Sequence, residues 1–322
     1  MKMKKTFRNL MSIILITTMF CWSCYIVSAE NISSRLKSET FEIENFNVIS
    51  KNTITGEITV HQCDTSLTTN ALNSGITVLS TPAYEGIENL EIDGDIIDDM
   101  IIPNQVIGDD TRYQITNPNQ NPYKKICRII AHWDTDGDGA IDLRTGGTGF
   151  LVGPDVVVTA GHMVYSNSRG WCEYVEMSFA QNGTSRPYGT IDSTMIYVAQ
   201  DWIDENDSNE DWAVIETAED IGNTVGWLGK KWQSTSLNGT SVNVTGYPGD
   251  KTANTMWRGN GTITSSTSGR LGHSCDTFNG QSGAPVLNGS NQVLAIHIGG
   301  NSSSGYGTRM TQWLFNYLEE FV

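Results

Sequence analysis

Asn279-Gly280-Gln281-Ser282-Gly283-Ala284-Pro285 sets a serine between glycines. Glycine is the costly residue wherever an ordinary backbone would serve, so the spacing calls for a physical reason. A sharp turn here lets the amides of Gly280 and Ser282 point into one hollow together with the Ser282 hydroxyl. That is the layout of a nucleophile beside an oxyanion hole. Gly-x-Ser-Gly also occurs in plain turns, so the stretch decides fold and chemistry only with a histidine base and an orienting carboxylate elsewhere.

Both are present upstream. Residues 148–162, from Thr148 through Gly153-Pro154-Asp155 to Gly161-His162, read as a β-hairpin whose second strand delivers His162 at its end. Between histidine and serine, Asn209-Glu210-Asp211-Trp212-Ala213-Val214-Ile215-Glu216 begins with acids and continues as an apolar strand. Asp207, Glu210 and Asp211 are all close enough in sequence to serve as the carboxylate. The order His, Asp, Ser is one of three used by unrelated serine hydrolase folds.

Thr159-Ala160-Gly161-His162, Asp211-Trp212-Ala213 and Gly280-Gln281-Ser282-Gly283-Ala284-Pro285 resemble the three signature blocks of chymotrypsin-fold proteases. Within that group the chain is similar to the secreted glutamyl endopeptidases of Gram-positive bacteria. Val106-Ile107-Gly108, Asn182-Gly183-Thr184, residues 221–226 and residues 246–252 add to the likeness, which runs from about Gln105 to the C-terminus. The resemblance implies a secreted serine endopeptidase cutting after Glu and more slowly after Asp. It assigns Ser282 as nucleophile, His162 as general base and Asp211 as orienting carboxylate, with the amides of Gly280 and Ser282 as oxyanion hole. It also places Thr277 and His297 in the pocket that receives the substrate carboxylate; His273, without a matching motif, reads as structural. Burying an ionised carboxylate costs several kcal/mol unless a partner receives it, which a protonating imidazole would do. Ile298, Gly299 and Gly300 should form a strand edge with room for a substrate backbone. The two rival readings are a protease of this fold with another preference and a non-catalytic, protein-binding relative; an intact triad with its glycines argues against the second.

The chain before Gln105 carries none of this likeness. Lys2, Lys4, Lys5 and Arg8 precede an apolar run from Leu10 to about Val27, and Val27-Ser28-Ala29 is a small-residue cleavage site, so residues 1–29 read as a signal peptide. Trp22 and Cys21 fit a lipid anchor on Cys24 poorly. Residues 30–104 are polar and end in an acidic stretch including Glu85, Glu88, Glu91, Asp93, Asp95, Asp98 and Asp99. Such a segment can hardly build a large core of its own, and it reads as a pro-region ahead of a protease domain at 105–322. The mature terminus is Gln105 or Val106; neither Asn104 nor Gln105 is acidic, so another protease should make that cut.

The remaining residues suit a single all-β unit, a chymotrypsin-like double β-barrel, expected as a monomer. Short alternating runs recur at Lys125–His132, Thr148–Val152, Val156–Ala160, Val175–Ala180, Met195–Val198, Trp212–Glu216, Ser241–Tyr247, Ala284–Leu287 and Val293–Ile298. Met310, Trp313, Leu314, Tyr317, Leu318 and Phe321 recur at steps of three and four, which predicts a C-terminal helix against the second barrel.

Cys127, Cys172 and Cys275 are an odd number, so at least one thiol stays free; spacing does not fix connectivity. Where many relatives have a disulfide around the catalytic histidine, this chain has Gly147 and Met163. Asp134, Asp136, Asp138 and Asp142, with Gly139 at the sixth loop position, begin like an EF-hand calcium loop, but Thr145 stands where a bidentate glutamate belongs. Carboxylates so close together repel unless a cation joins them, so the loop reads either as a structural calcium site or as a solvated acidic turn, and no cofactor is required for catalysis. With 36 acidic against 20 basic residues the net charge is −16, which disfavours nucleic acid and anionic membrane as partners. Polypeptides and an activating protease are the partners that remain.

Overall fold

The computed structural model describes residues 46–63, 78–86 and 106–322. The signal-peptide reading, Gln105 and most of the acidic stretch lie outside these residues.

Nineteen short strands form among the described residues, because runs such as Val156-Val157-Val158-Thr159 are β-branched and bounded by turn residues. In chain order they are β1 (Phe46–Asn52), β2 (Ile58–Cys63), β3 (Val78–Ser80), β4 (Tyr113–Gln114), β5 (Ile126–Trp133), β6 (Leu143–Leu151), β7 (Val156–Thr159), β8 (Tyr165–Ser166), β9 (Gly170–Trp171) and β10 (Tyr174–Phe179). They continue as β11 (Ile191–Ala199), β12 (Ala213–Thr217), β13 (Gly229–Gln233), β14 (Ser241–Gly246), β15 (Trp257–Ser266), β16 (Arg270–His273), β17 (Pro285–Asn288), β18 (Gln292–Gly300) and β19 (Gly305–Arg309).

Two barrels of six strands close on themselves. The first runs β10-β5-β6-β7-β12-β11 and closes through β10 with β11; the second runs β17-β14-β15-β16-β19-β18 and closes through β17 with β18. Closure leaves no long unpaired edge, which an open sheet of this length would have to protect. Val244, Ile263, Leu271, Val286 and Leu294 fill the second barrel. Ile129, Phe150, Val158, Phe179, Ile196 and Ile215 are fully buried in the larger cluster around the first.

The described part of the segment read as a pro-region takes part in both sheets, which the sequence did not suggest: β1 and β2 extend the first sheet beyond β11, and β3 pairs with β13 beside the second barrel. The C-terminal helix, α1 (Gln312–Glu319), is present and capped by Thr311, whose hydroxyl accepts from Leu314 N at 3.0 Å. It packs on both sides: Tyr317 meets Trp212 at 5.7 Å between ring centres, while the Phe315 ring centre lies 5.5 Å from Lys230 Nζ and Glu319 pairs with Lys230 on β13, the strand beside β18 of the second barrel.

Candidate active site

The nucleophile turn hangs between the barrels. Gly280 and Gly283 have φ of +90° and +84°, values a side chain would strain. A Cβ at Gly280 would strike the Tyr247 carbonyl, and one at Gly283 would strike Thr159 Oγ1 and Thr148 O. Both glycines are therefore fixed by sterics as well as by dihedral. Thr148, on β6, braces the turn from the other barrel: its amide donates to Ser282 O at 2.9 Å and its hydroxyl to Gly280 O at 2.8 Å. Inside the turn, the amides of Gln281, Gly283 and Ala284 donate to Phe278 O, His297 O and Gln281 O. Those of Gly280 and Ser282 have no backbone acceptor among the described residues.

His162 sits in a one-turn 3-10 helix, Gly161–Met163, directly after β7. The Asp211 carboxylate receives it twice: Oδ1 accepts the His162 backbone N–H and Oδ2 lies 2.8 Å from Nδ1, both contacts being 2.8 Å. A proton on Nδ1 satisfies that second contact, which leaves Nε2 free to act as a base. Burial pushes the ring's pKa down, but the charge and hydrogen bond of Asp211 outweigh it, so the net direction is up. The ring stays 27 % exposed while the Asp211 side chain is 6 % exposed, so the imidazole is accessible from outside and the carboxylate is not. Glu210 and Asp207 face elsewhere. Glu210 accepts from Trp212 Nε1 at 2.8 Å, and burial raises its pKa to about 7; Asp207 accepts from Asn209. The His162 ring and the Ser282 hydroxyl share no hydrogen bond among the described residues, a looseness common in unliganded hydrolases.

Thr277 and His297 are both buried. His297 Nδ1 lies 3.1 Å from Nε2 of His273, and His297 Nε2 makes no close hydrogen bond among the described residues, although the Tyr306 backbone acts weakly to raise the pKa of the ring. Burial lowers the pKa of both rings, that of His273 to about 4, and the proximity of His273 and then His162 lowers His297 further. The pair is neutral at neutral pH when no anion is bound. β17 ends opposite Ile296, so on that side Ile298, Gly299 and Gly300 are an open edge, and a bulge lies between His297 and Gly299.

Residues 147–296 match the family described as the trypsin-like peptidase domain. A glutamyl endopeptidase of Bacillus licheniformis is 39 % identical over 225 residues, covering 66 % of this chain and 67 % of its own. An extracellular metalloprotease of Bacillus subtilis is 38 % identical over 222 residues, 67 % of this chain and 69 % of its own. Among solved structures, a Glu endopeptidase in complex with MPD aligns with a TM-score of 0.59 at 30 % identity, over 67 % of this chain and 98 % of that one. This chain belongs to the trypsin-like serine peptidase family.

Two sites of the peptidase lie apart from this centre. In the β5–β6 hairpin loop, Asp134, Asp136 and Asp138 cluster with ligand oxygens within 4.8 Å of one another. Asp142 is not part of the cluster, contrary to the EF-hand pattern, because its carboxylate turns to the Thr135 hydroxyl at 2.6 Å. Asp134 already accepts the amides of Gly137 and Gly139 at 2.7 Å each, and these amides hold its pKa down. The thiols of Cys63, Cys127, Cys172 and Cys275 are all unpaired. Met163 packs directly on Gly147, a contact and not a covalent link.

Three residues near the site drew little or no notice in the sequence. His273, read there as structural, lies in β16, and its ring fills the space where a side chain on Gly305 would stand. Thr148 carries no motif. Asp276, buried one residue before Thr277, accepts the amides of Ile107 and Thr111 at 3.0 and 2.9 Å, tying the start of the protease domain to the pocket wall.

Proposed function

We propose that the peptidase is a secreted serine endopeptidase that hydrolyses polypeptides after Glu, and more slowly after Asp. The observation that carries the reading is a buried histidine, His297, with Nε2 making no close hydrogen bond among the described residues and close enough to His162 to feel its charge. A buried polar atom without a partner is costly, and a side-chain carboxylate of the substrate would supply that partner together with the charge that protonates the ring. A neutral glutamine side chain would supply neither.

In this mechanism Ser282 Oγ attacks the scissile carbonyl as its proton passes to His162 Nε2. Asp211 keeps the imidazole in the required tautomer and stabilises the imidazolium. The amides of Gly280 and Ser282 hydrogen-bond the oxyanion, a donor of this kind contributing about 3 kcal/mol. His162 then protonates the leaving amine, and water, activated by the same ring, hydrolyses the acyl-enzyme. The substrate backbone adds along Ile298–Gly300 as an extra strand. The name of the Bacillus subtilis relative states metal chemistry. The His162–Asp211 contact and the two strained glycines support the serine route for this chain.

Secretion rests on residues 1–29, and activation on a cut before Gln105 or Val106 by another protease; the protein is proposed to act as a monomer. Calcium at Asp134, Asp136 and Asp138 is a separate proposal, a structural role far from the reacting atoms in sequence. Labelling of Ser282 by a fluorophosphonate, lost in Ser282→Ala, tests the chemistry; an unlabelled, correctly processed protein favours the protein-binding alternative. Preference for Glu over Gln substrates tests the pocket.

A further inference from the structure

The described part of the segment before the protease domain makes contacts of a kind a simple blocking peptide would not need. Strand β1 pairs antiparallel with β11, Val48 to Asn52 opposite Ala199 to Met195. Val48 is fully buried, and Phe46 lies with its ring centre 3.9 Å from Trp313 and 6.5 Å from Trp212. Lys51, itself buried, donates to Cys172 O at 2.9 Å and pairs with Glu173 at 3.1 Å. Beyond the ladder, Thr53 donates from N to Thr194 O at 2.9 Å and from Oγ1 to Ser193 O at 2.6 Å. Strand β2 by contrast is almost wholly exposed, and apart from its pairing with β1 it meets the barrel at its His61 ring, 5.9 Å from that of Tyr197, and at Cys63.

These contacts fall on two pieces of the protein that carry the candidate catalytic pair. Trp212 follows Asp211 directly, and Cys172 and Glu173 end the loop that begins at His162. None of the hairpin's described contacts involves Ser282, Thr277 or His297.

We propose that the β1–β2 hairpin, Phe46 to Cys63, is a detachable strand ligand of the first barrel. It binds by strand addition to β11, with Phe46 as an aromatic anchor and Lys51 as a buried cation anchor, and it stays bound as a separate chain once the polypeptide is cut before the protease domain. Its role is to brace the backs of His162 and Asp211 instead of covering the cleft. The cut fragment is then a second subunit of the processed protein until a further protease digests it. This goes beyond the proposed specificity and does not depend on it.

The test uses the full chain carrying Ser282→Ala, so that no self-digestion intervenes, with recognition sequences for a site-specific protease placed within residues 64–77 and within 87–104. After cutting at both, native gel filtration should find the hairpin fragment co-eluting with the barrels. With Phe46→Ala and Lys51→Ala combined, the fragment should elute separately. Hydrogen exchange gives a second reading on protein cut only within 87–104: the amides of Met195–Ala199 should keep at least ten-fold more protection than in the double variant. Separation of the unmutated fragment, or equal exchange in the two proteins, overturns the proposal. Neither result bears on whether His297 selects glutamate, so the two readings fail independently.

Discussion

His273 Nε2 lies 3.1 Å from His297 Nδ1, both rings buried, with the far nitrogen of each making no close hydrogen bond among the described residues. One proton can be shared along this contact, so the tautomer of His297 is coupled to that of His273. In the proposed function His273 is a positioning residue, acting on substrate only through His297. His273→Asn is expected to lower kcat/KM for a Glu substrate about ten- to one-hundred-fold, mostly through KM, the loss of one charge-assisted hydrogen bond corresponding to about 1.5–3 kcal/mol. Hydrolysis of a Gln substrate should barely change, whereas a merely structural defect would lower both.

The same pair sets a pH dependence. His273 titrates at about 4 in the folded protein, below its ordinary value, so the unfolded chain takes up the proton first. Its contribution to stability is complete above the unfolded value, about 6.5, and is lost as pH falls towards 4. His162 has the opposite sign: its raised pKa gives stability below its unfolded value that is lost as pH rises through the folded one. Thermal unfolding of Ser282→Ala should therefore show Tm falling between pH 6.5 and 4, and falling less with His273→Asn added. Parallel slopes would contradict the assignment.

Thr148 couples the barrels at the reacting centre, since its hydroxyl both donates to Gly280 O at 2.8 Å and accepts from Tyr247 N at 3.0 Å. Thr148→Val keeps the volume and strands both partners, at about 1–3 kcal/mol for a buried unsatisfied group. Tm should fall, and kcat should fall several-fold at nearly constant KM, because the turn that aims the Gly280 amide loses its brace.

Chelation tests the acidic loop. EDTA should lower Tm and added calcium should restore it, with the effect absent in Asp134→Asn/Asp138→Asn. An unchanged Tm on adding calcium back would remove the ion from this account.

What the sequence disclosed follows from how local each feature is. His162, Asp211 and Ser282 each stand inside a short block whose neighbours, Ala160-Gly161, Trp212-Ala213 and Gly280 with Gly283, exist to shape a turn or a strand end, so the blocks could be read one at a time. The strands of the first barrel were legible because runs such as Trp212–Glu216 are continuously apolar. β15 was not, since its sequence WRGNGTITSS exposes much of its length and uses Gly259 and Gly261 to let the backbone at Asp276 and Cys275 come close. β1 was hidden for a related reason: Lys51 and Asn47 look like solvent-facing residues, and only the barrel's carbonyls and Gln200 make them interior. His273 is the plainest case. Its meaning depends on His297, 24 residues away, and no spacing rule links two residues on different strands of one barrel.

The most direct measurement is hydrolysis of matched peptides ending in Glu, Asp, Gln, Phe or Lys by the processed enzyme, with Ser282→Ala as blank. The account predicts cleavage after Glu, slower cleavage after Asp, little after the near-isosteric Gln, and loss of that preference in His297→Ala. Equal rates for Glu and Gln, or a Glu preference that survives His297→Ala, would contradict it.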